Sequence, residues 1–297
     1  MRKTTKPYTK RNEETKLRVK TKNTLLPFLI EAMTDKSRSA IKSYLAHRQV
    51  AINGRVTTLF DTPVNQGDEV SIRAIGESAP NPNHRVRIVF EDEDLIVVDK
   101  KPGVLSMSTG VEGEQTAYSI MMEHVRRHRK TDRVYIVHRL DRETSGLLLL
   151  AKSEEAQERL QNDWNNTIID RRYIAVVEGQ LEKPEGRIMS WLTDNLKSMK
   201  VMSSPVDNGG KEAITNYRVI KSGERYSLVE LHLETGRKNQ IRVHMADLGH
   251  PIAGDKKYGA KSNPLGRLCL HAQTLSFYHP FSGQPMKFDT GIPPKFL

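Results

Sequence analysis

His138-Arg139-Leu140-Asp141-Arg142-Glu143-Thr144-Ser145-Gly146 separates two apolar runs, Val-Tyr-Ile-Val at 134–137 and Leu-Leu-Leu-Leu-Ala at 147–151. Both runs are short and rich in strand formers, so the pattern predicts two buried strands joined by a polar loop. The loop holds one carboxylate, Asp141, between the guanidiniums of Arg139 and Arg142. Two cations beside it are expected to keep the acid ionised near neutral pH, and the flanking strands would fix its position. A nucleophile would be presented in this way. Asp, Thr, Ser and Gly are also the residues of an ordinary surface turn, so the loop alone leaves a structural reading open.

Further along, residues 173–177 (Tyr-Ile-Ala-Val-Val) read as a strand headed by Tyr173. Residues 227–234 alternate as another strand. Thr235-Gly236-Arg237-Lys238-Asn239-Gln240-Ile241-Arg242-Val243-His244 then passes from a glycine turn into a helix ending near Gly249. Between the two, residues 186–220 read as strands and loops without a functional signal.

These stretches together resemble the signatures of the RluA-like pseudouridine synthases. The first reads His-Arg-Leu-Asp, two variable residues, Thr-Ser-Gly and an apolar strand, and residues 138–151 match every fixed position. The third reads Thr-Gly-Arg, Thr-His, Gln-Ile or Gln-Leu, Arg-Val-His, and the chain departs from it only at Lys238-Asn239. His250-Pro251, Gly254-Asp255, Tyr258-Gly259 and Leu270-His271-Ala272 resemble the family's C-terminal text. The resemblance implies that Asp141 is the catalytic residue, that Tyr173 packs on the target base, and that Arg242 pairs with the acid. It further implies that Ile241 packs in the pocket; Arg139, Arg142 and Arg237 are expected as substrate-binding residues beside it. Arg139 is the candidate for filling the gap left by a flipped base. Two smaller departures are Lys100-Lys101, where the family has Lys-Pro, and Arg172, where a Lys precedes the tyrosine.

Ahead of this region, Leu25, Leu26, Phe28, Leu29, Ile30 and Met33 predict one short helix, and a second opens near Ser37 with Ile41 and Leu45 at helical spacing. Arg38 and Lys42, four apart, share the opposite face of that second helix, which suits docking on a phosphate backbone. A strand at 50–52, the turn pair Asn53-Gly54, a return strand and a last strand near 67–72 follow. This segment resembles an S4-type RNA-binding domain, through Lys36-Ser37-Arg38-Ser39, residues 50–56 and Gly67-Asp68-Glu69-Val70. The expected fold is α+β: a small N-terminal S4-like domain, then a mixed, mainly antiparallel sheet with flanking helices that carries the catalytic residues. The expected boundaries are a disordered basic arm at 1–22, the S4-like domain at 23–75, a linker at 76–84 and the catalytic domain at 85–297. Within the last, a hairpin spans 88–103, and helices are expected at 116–129 and from the Ser153 N-cap to about Trp164.

Composition narrows the classes. The 297 residues carry 47 Lys or Arg against 36 Asp or Glu, a net +11, which points to a polyanionic partner. Nine of those cations, with only Glu13 and Glu14 against them, lie in residues 1–22. No apolar run approaches the ~20 residues that cross a bilayer, and the basic N-terminus lacks the apolar segment of a signal peptide. A soluble, cytoplasmic, monomeric protein with no membrane partner is therefore expected. Cys269 is the sole cysteine, and the ten histidines show no ligand spacing, so no metal is expected. Nor is any cofactor, since neither a Rossmann fingerprint nor a P-loop is present and uridine isomerisation needs no redox partner or group donor. The expected partner is RNA, ribosomal in the first place and tRNA in the second. Two rivals are weighed against the synthase. A non-catalytic RNA-binding or ribosome assembly factor explains the arm and the first domain but not Asp141, Tyr173 and Arg242. A hydrolase would want a second acid, a histidine or a metal beside Asp141.

Overall fold

The computed structural model describes residues 15–34, 36–46, 49–57, 59–72, 85–108, 110, 114–127, 129–195 and 197–296. The linker expected at 76–84 lies outside them. The chain divides into two compact units, Met1–Pro82 with Ile88–Ile96 and Asn83–Arg87 with Val97–Leu297.

In the first unit the order is β1 (Thr15–Arg18), β2 (Asn23–Thr24), α1 (Leu25–Ala32), α2 (Arg38–Ala46), β3 (Val50–Ile52), β4 (Arg55–Val56), β5 (Pro63–Val64) and β6 (Glu69–Ile72). Four strands form a sheet in the order β1-β6-β3-β4, and β2 pairs with β5. Leu25 and Leu29 of α1 and Ile41 and Leu45 of α2 recur at helical spacing and are fully buried, against Val50, Val64, Val70 and Ile72. Arg38 and Lys42 are exposed on α2. Asn53 and Gly54, with φ of 49° and 78°, supply the two left-handed positions that a tight β3-β4 hairpin requires. The disordered arm expected through residue 22 is corrected at its C-terminal end. Thr15–Arg18 pair antiparallel with Ile72–Glu69, Val19 is buried, and Lys16 Nζ meets Glu69 Oε1 at 2.9 Å. The open edge of β6 and the two apolar side chains Leu17 and Val19 suffice to order a segment otherwise polar.

The chain continues through β7 (Val86–Glu91), β8 (Leu95–Lys100), α3 (Ala117–Arg126), β9 (Tyr135–Ile136), β10 (Ser145–Ala151), α4 (Glu154–Asn162), α5 (Trp164–Thr167), β11 (Ile168–Glu178), β12 (Glu185–Asn195), β13 (Lys200–Ser204), β14 (Lys211–Lys221), β15 (Tyr226–Leu233), α6 (Gln240–Asp247), β16 (Leu270–Tyr278) and β17 (Pro285–Asp289). An eleven-stranded sheet runs β13-β12-β14-β15-β11-β16-β10-β8-β7, with β17 on β16 and β9 on β10. Its pairings are antiparallel along β11 to β15, while β10 and β16 run parallel. This is the mixed, mainly antiparallel α+β architecture expected from the sequence.

Every residue of β10 is buried, as its apolar run predicts. Gly146, at φ 113°, is placed where a Cβ would run into the Ala272 carbonyl oxygen. Only glycine lets β10 approach β16 this closely, which accounts for the last residue of Thr-Ser-Gly. Helix α3 opens on a capping box between Thr116 and Ser119, and α4 on the Ser153 hydroxyl.

Candidate active site

A cleft of about 370 Å³ opens in the second unit, walled by the 137–144 loop, β11 and the 236–242 segment that leads into α6. Its size suits a small ligand or a single flipped nucleotide. Asp141 sits in the loop between β9 and β10 with its side chain 22% exposed.

The loop is held from beneath by Lys100, whose side chain is fully buried. Its Nζ donates to the carbonyl oxygens of Thr144 at 2.6 Å and Val104 at 2.8 Å, and those of Asp141 and Arg142 lie at 3.3 and 3.2 Å. Burial pulls this ammonium down to about pKa 7, while the charge of Asp141 pulls it back up. Ser106 Oγ fixes the loop again, donating to the Leu140 carbonyl and accepting from the Leu140 amide, both at 2.9 Å. Two supports on adjacent residues leave the Asp141 side chain little freedom of position.

Across the cleft, α6 brings Arg242 to Asp141, with Nη1 3.6 Å from Oδ2. That spacing is an ion pair rather than a hydrogen bond. Arg242 is anchored from behind by Asp255, which accepts from Nε at 2.6 Å and from Nη2 at 2.8 Å. Asn239 Oδ1 accepts from Nη1 at 3.1 Å, and the guanidinium lies 5.0 Å from the Tyr258 ring centroid. Burial works against the Arg242 charge, but Asp255, with Asp141 adding to it, raises its pKa above the ordinary arginine value. Asn239 holds a left-handed φ of 54°, which asparagine tolerates, and its Nδ2 donates to Tyr258 Oη at 3.0 Å.

On the third wall, β11 contributes Arg171 and Tyr173. Tyr173 is 8% exposed, and burial raises its phenol pKa. Arg171 is also 8% exposed and stacks on Trp164, with its guanidinium carbon 5.2 Å from the ring centroid. Arg172 takes the other side of the strand and pairs with Asp170 at 2.6 Å and Glu230 at 3.8 Å. The His138 ring packs near Trp164, and its Nε2 accepts from the Leu149 amide at 3.1 Å, which only an unprotonated nitrogen can do. Burial, followed by the charge of Arg171, pulls its pKa down to about 3. Asp141 is the one carboxylate among the lining residues, and the one histidine there has Nε2 occupied, so the cleft offers no ligand set for a divalent metal.

The sequence-predicted residues are therefore partly gathered. Asp141, Tyr173, Arg242, Arg139, Arg237 and Ile241 all line the cleft. Arg139 is exposed there, Ile241 is 4% exposed, and Arg237 Nε donates to the Glu212 carbonyl at 2.9 Å. Arg142 is exposed outside the cleft lining and lies 3.8 Å from Glu143. The cation at ion-pair distance from Asp141 is Arg242 rather than either neighbour in sequence. Arg38 and Lys42 belong to the other unit. Sequence reading missed Lys100, Arg171, Asn239, Asp255 and Tyr258 as parts of the site. Strand alternation could have placed Arg171 with Tyr173, whereas nothing local marks Asp255 as the anchor of an arginine thirteen positions earlier.

The family described as RNA pseudouridylate synthase matches residues 94–247, which include loop 138–146, Tyr173 and Arg242. The ribosomal large subunit pseudouridine synthase D of Vibrio cholerae is 34% identical over 286 residues, covering 89% of this chain and 86% of that protein. The uncharacterized RNA pseudouridine synthase YlyB of Bacillus subtilis is 33% identical, covering 90% and 89%. Among solved structures, human RNA pseudouridylate synthase domain containing 1 superposes with a TM-score of 0.57 at 25% identity, over 74% of this chain and 87% of that one. A likeness that extends over most of both sequences and takes in all three walls of the cleft settles the matter: the chain belongs to the RNA pseudouridylate synthase family, isomerases that act on RNA.

Proposed function

We propose that this synthase converts uridines of structured large-subunit ribosomal RNA to pseudouridine, with Asp141 as the catalytic residue. The observation that carries the reading is the isolation of Asp141, a single carboxylate in a nucleotide-sized cleft, opposed by an anchored arginine at 3.6 Å. The reaction breaks the bond from N1 of uracil to C1′, turns the base, and joins C1′ to C5. C5 loses a proton and N1 gains one, so no oxidant, reductant or donor enters. A uridine in folded RNA must leave its stack to reach the acid. Tyr173 is then placed to stack on the flipped uracil, Ile241 to pack beside it, and exposed Arg139 to fill the gap or hold the displaced strand. Arg242 faces the Asp141 carboxylate at 3.6 Å and aims it.

The ribosomal substrate is supported by the relatives named as large-subunit synthases and by the net charge of +11. The first unit, with Arg38 and Lys42 on one face of α2, is read as an S4-type module that docks on the RNA backbone. Chemical mapping of pseudouridine in total RNA from cells with and without the gene tests this. The expected result is loss of pseudouridine at defined large-subunit positions; a change confined to tRNA, or none, overturns the ribosomal reading.

A further inference from the structure

The cations of the cleft differ in how their charge is met. Arg242 has Asp255, Lys238 has Asp194 at 2.6 Å, and Arg139 and Arg237 are exposed to water. Arg171 has none of these. It is 8% exposed, and among the described residues no carboxylate lies within 4.0 Å of it and no acceptor takes its hydrogen bonds. The Trp164 ring lies 5.2 Å from its guanidinium carbon, and the Tyr173 phenol also acts on its charge. Burying a guanidinium without a counter-charge works against folding, and a stacked indole offsets part of that. The guanidinium lies against the glycine turn of Thr235-Gly236-Arg237: a Cβ on Gly236 would stand 2.8 Å from Arg171 Nη1.

We propose that Arg171 is the seat of a phosphate subsite, its guanidinium taking the backbone phosphate next to the uridine that enters the cleft. The proposal rests on reading this cleft as the uridine site. Arg171 and Tyr173 are two apart on β11 and both line the cleft. Two strand residues advance about 6.5 Å, comparable to the reach from a nucleobase to its own phosphate. A base stacked on Tyr173 therefore brings a phosphate to Arg171. A planar fork of donors suits two phosphate oxygens, and the anion supplies the missing counter-charge. Burial already pulls the Arg171 pKa down, and a bound phosphate reverses that pull. Arg171 then couples backbone binding to base placement: the charge left unmet in the free enzyme is met only when a nucleotide is seated.

The test titrates uridine, uridine 5′-monophosphate and uridine 3′-monophosphate against the full-length wild type, Arg171→Met and Arg171→Lys, with melting temperature measured for each protein. One monophosphate is expected to bind wild type about 10- to 100-fold more tightly than uridine. That advantage is expected to vanish in Arg171→Met and to be intermediate in Arg171→Lys, which keeps the charge but loses the fork. Because an unmet buried charge is removed, Arg171→Met is expected to melt no lower than wild type. An advantage equal in wild type and Arg171→Met, or absent from both, overturns the subsite, as does a lowered melting temperature that accounts for the loss. A wild type that keeps the Arg171-dependent advantage but modifies no ribosomal RNA overturns the ribosomal reading and supports the subsite.

Discussion

Asp255→Asn is the substitution whose effect follows most directly from the geometry. The Asp255 side chain is 1% exposed and that of Arg242 12%, and two charge-assisted bonds of 2.6 and 2.8 Å join them. Breaking a pair this buried costs about 3–5 kcal/mol. Asparagine keeps one acceptor oxygen, and Asp141 remains 3.6 Å from the guanidinium, so the lower end, about 3 kcal/mol, applies. For a domain of this size each kcal/mol lowers the melting temperature by about 2–4 °C, giving a fall of roughly 6–12 °C. Turnover suffers separately. Freed from behind, Arg242 is drawn onto Asp141, and a misplacement of about 1 Å in a reacting group costs on the order of a hundredfold. Arg242→Met strands Asp255 as a buried, unpaired carboxylate. The double substitution Asp255→Asn, Arg242→Met is therefore expected to be more stable than the sum of the two singles by about 2 kcal/mol. Thermal melting followed by circular dichroism gives the first quantity, single-turnover pseudouridine formation the second, and the double-mutant cycle the third. A melting temperature within about 2 °C of wild type, or singles that simply add, would show that Asp255 does not anchor Arg242.

Two buried histidines set an acid limit on the fold. His244 sits between Ser190 and Thr215 and His271 between Ser145 and Thr290, and burial first of all pulls both pKa values down to about 4. An unfolded histidine titrates near 6.5, so between pH 6.5 and 4 the unfolded chain binds more protons and stability falls as pH falls. At pH 5 the loss is about 2 kcal/mol per histidine, to be read as a drop in urea midpoint; His244→Gln should flatten the profile, and an unchanged slope would remove His244 from the account. A third expectation concerns residues 1–14, which hold five Lys or Arg and stop short of β1. If three of the five meet phosphates, deleting 1–14 lowers the slope of log affinity against log salt by about 2 units. An unchanged slope in a filter-binding series would mean that these cations do not touch RNA.

Legibility followed the range of the interaction. The Asp141 loop could be read because its flanking strands and its glycine are local requirements, and the Asn53-Gly54 hairpin for the same reason. Helices α1 and α2 showed in apolar spacing alone. What local sequence does not show depends on partners distant in the chain. Arg142 stands one residue from Asp141 yet turns outward, while Arg242 reaches the acid across the cleft. β1 carries too little apolar surface to announce itself and exists through the edge of β6. Lys100 reads as an ordinary polar strand end, and only the folded loop reveals the carbonyl oxygens that converge on its ammonium. Arg172 immediately precedes the tyrosine, but alternation along β11 sends it to Asp170 and gives the cleft Arg171.

The central claim is that Asp141 performs the chemistry and that RNA affinity resides elsewhere. It is tested most directly by Asp141→Asn under single-turnover conditions, on large-subunit ribosomal RNA from cells lacking the gene, with binding measured on the same samples. The substitution keeps size and shape and removes the charge opposite Arg242. The expected result is no detectable pseudouridine, with affinity within a few fold of wild type, because phosphate contacts supply most of the binding. Turnover above about a hundredth of the wild-type rate would contradict the assignment of Asp141 as the catalytic residue.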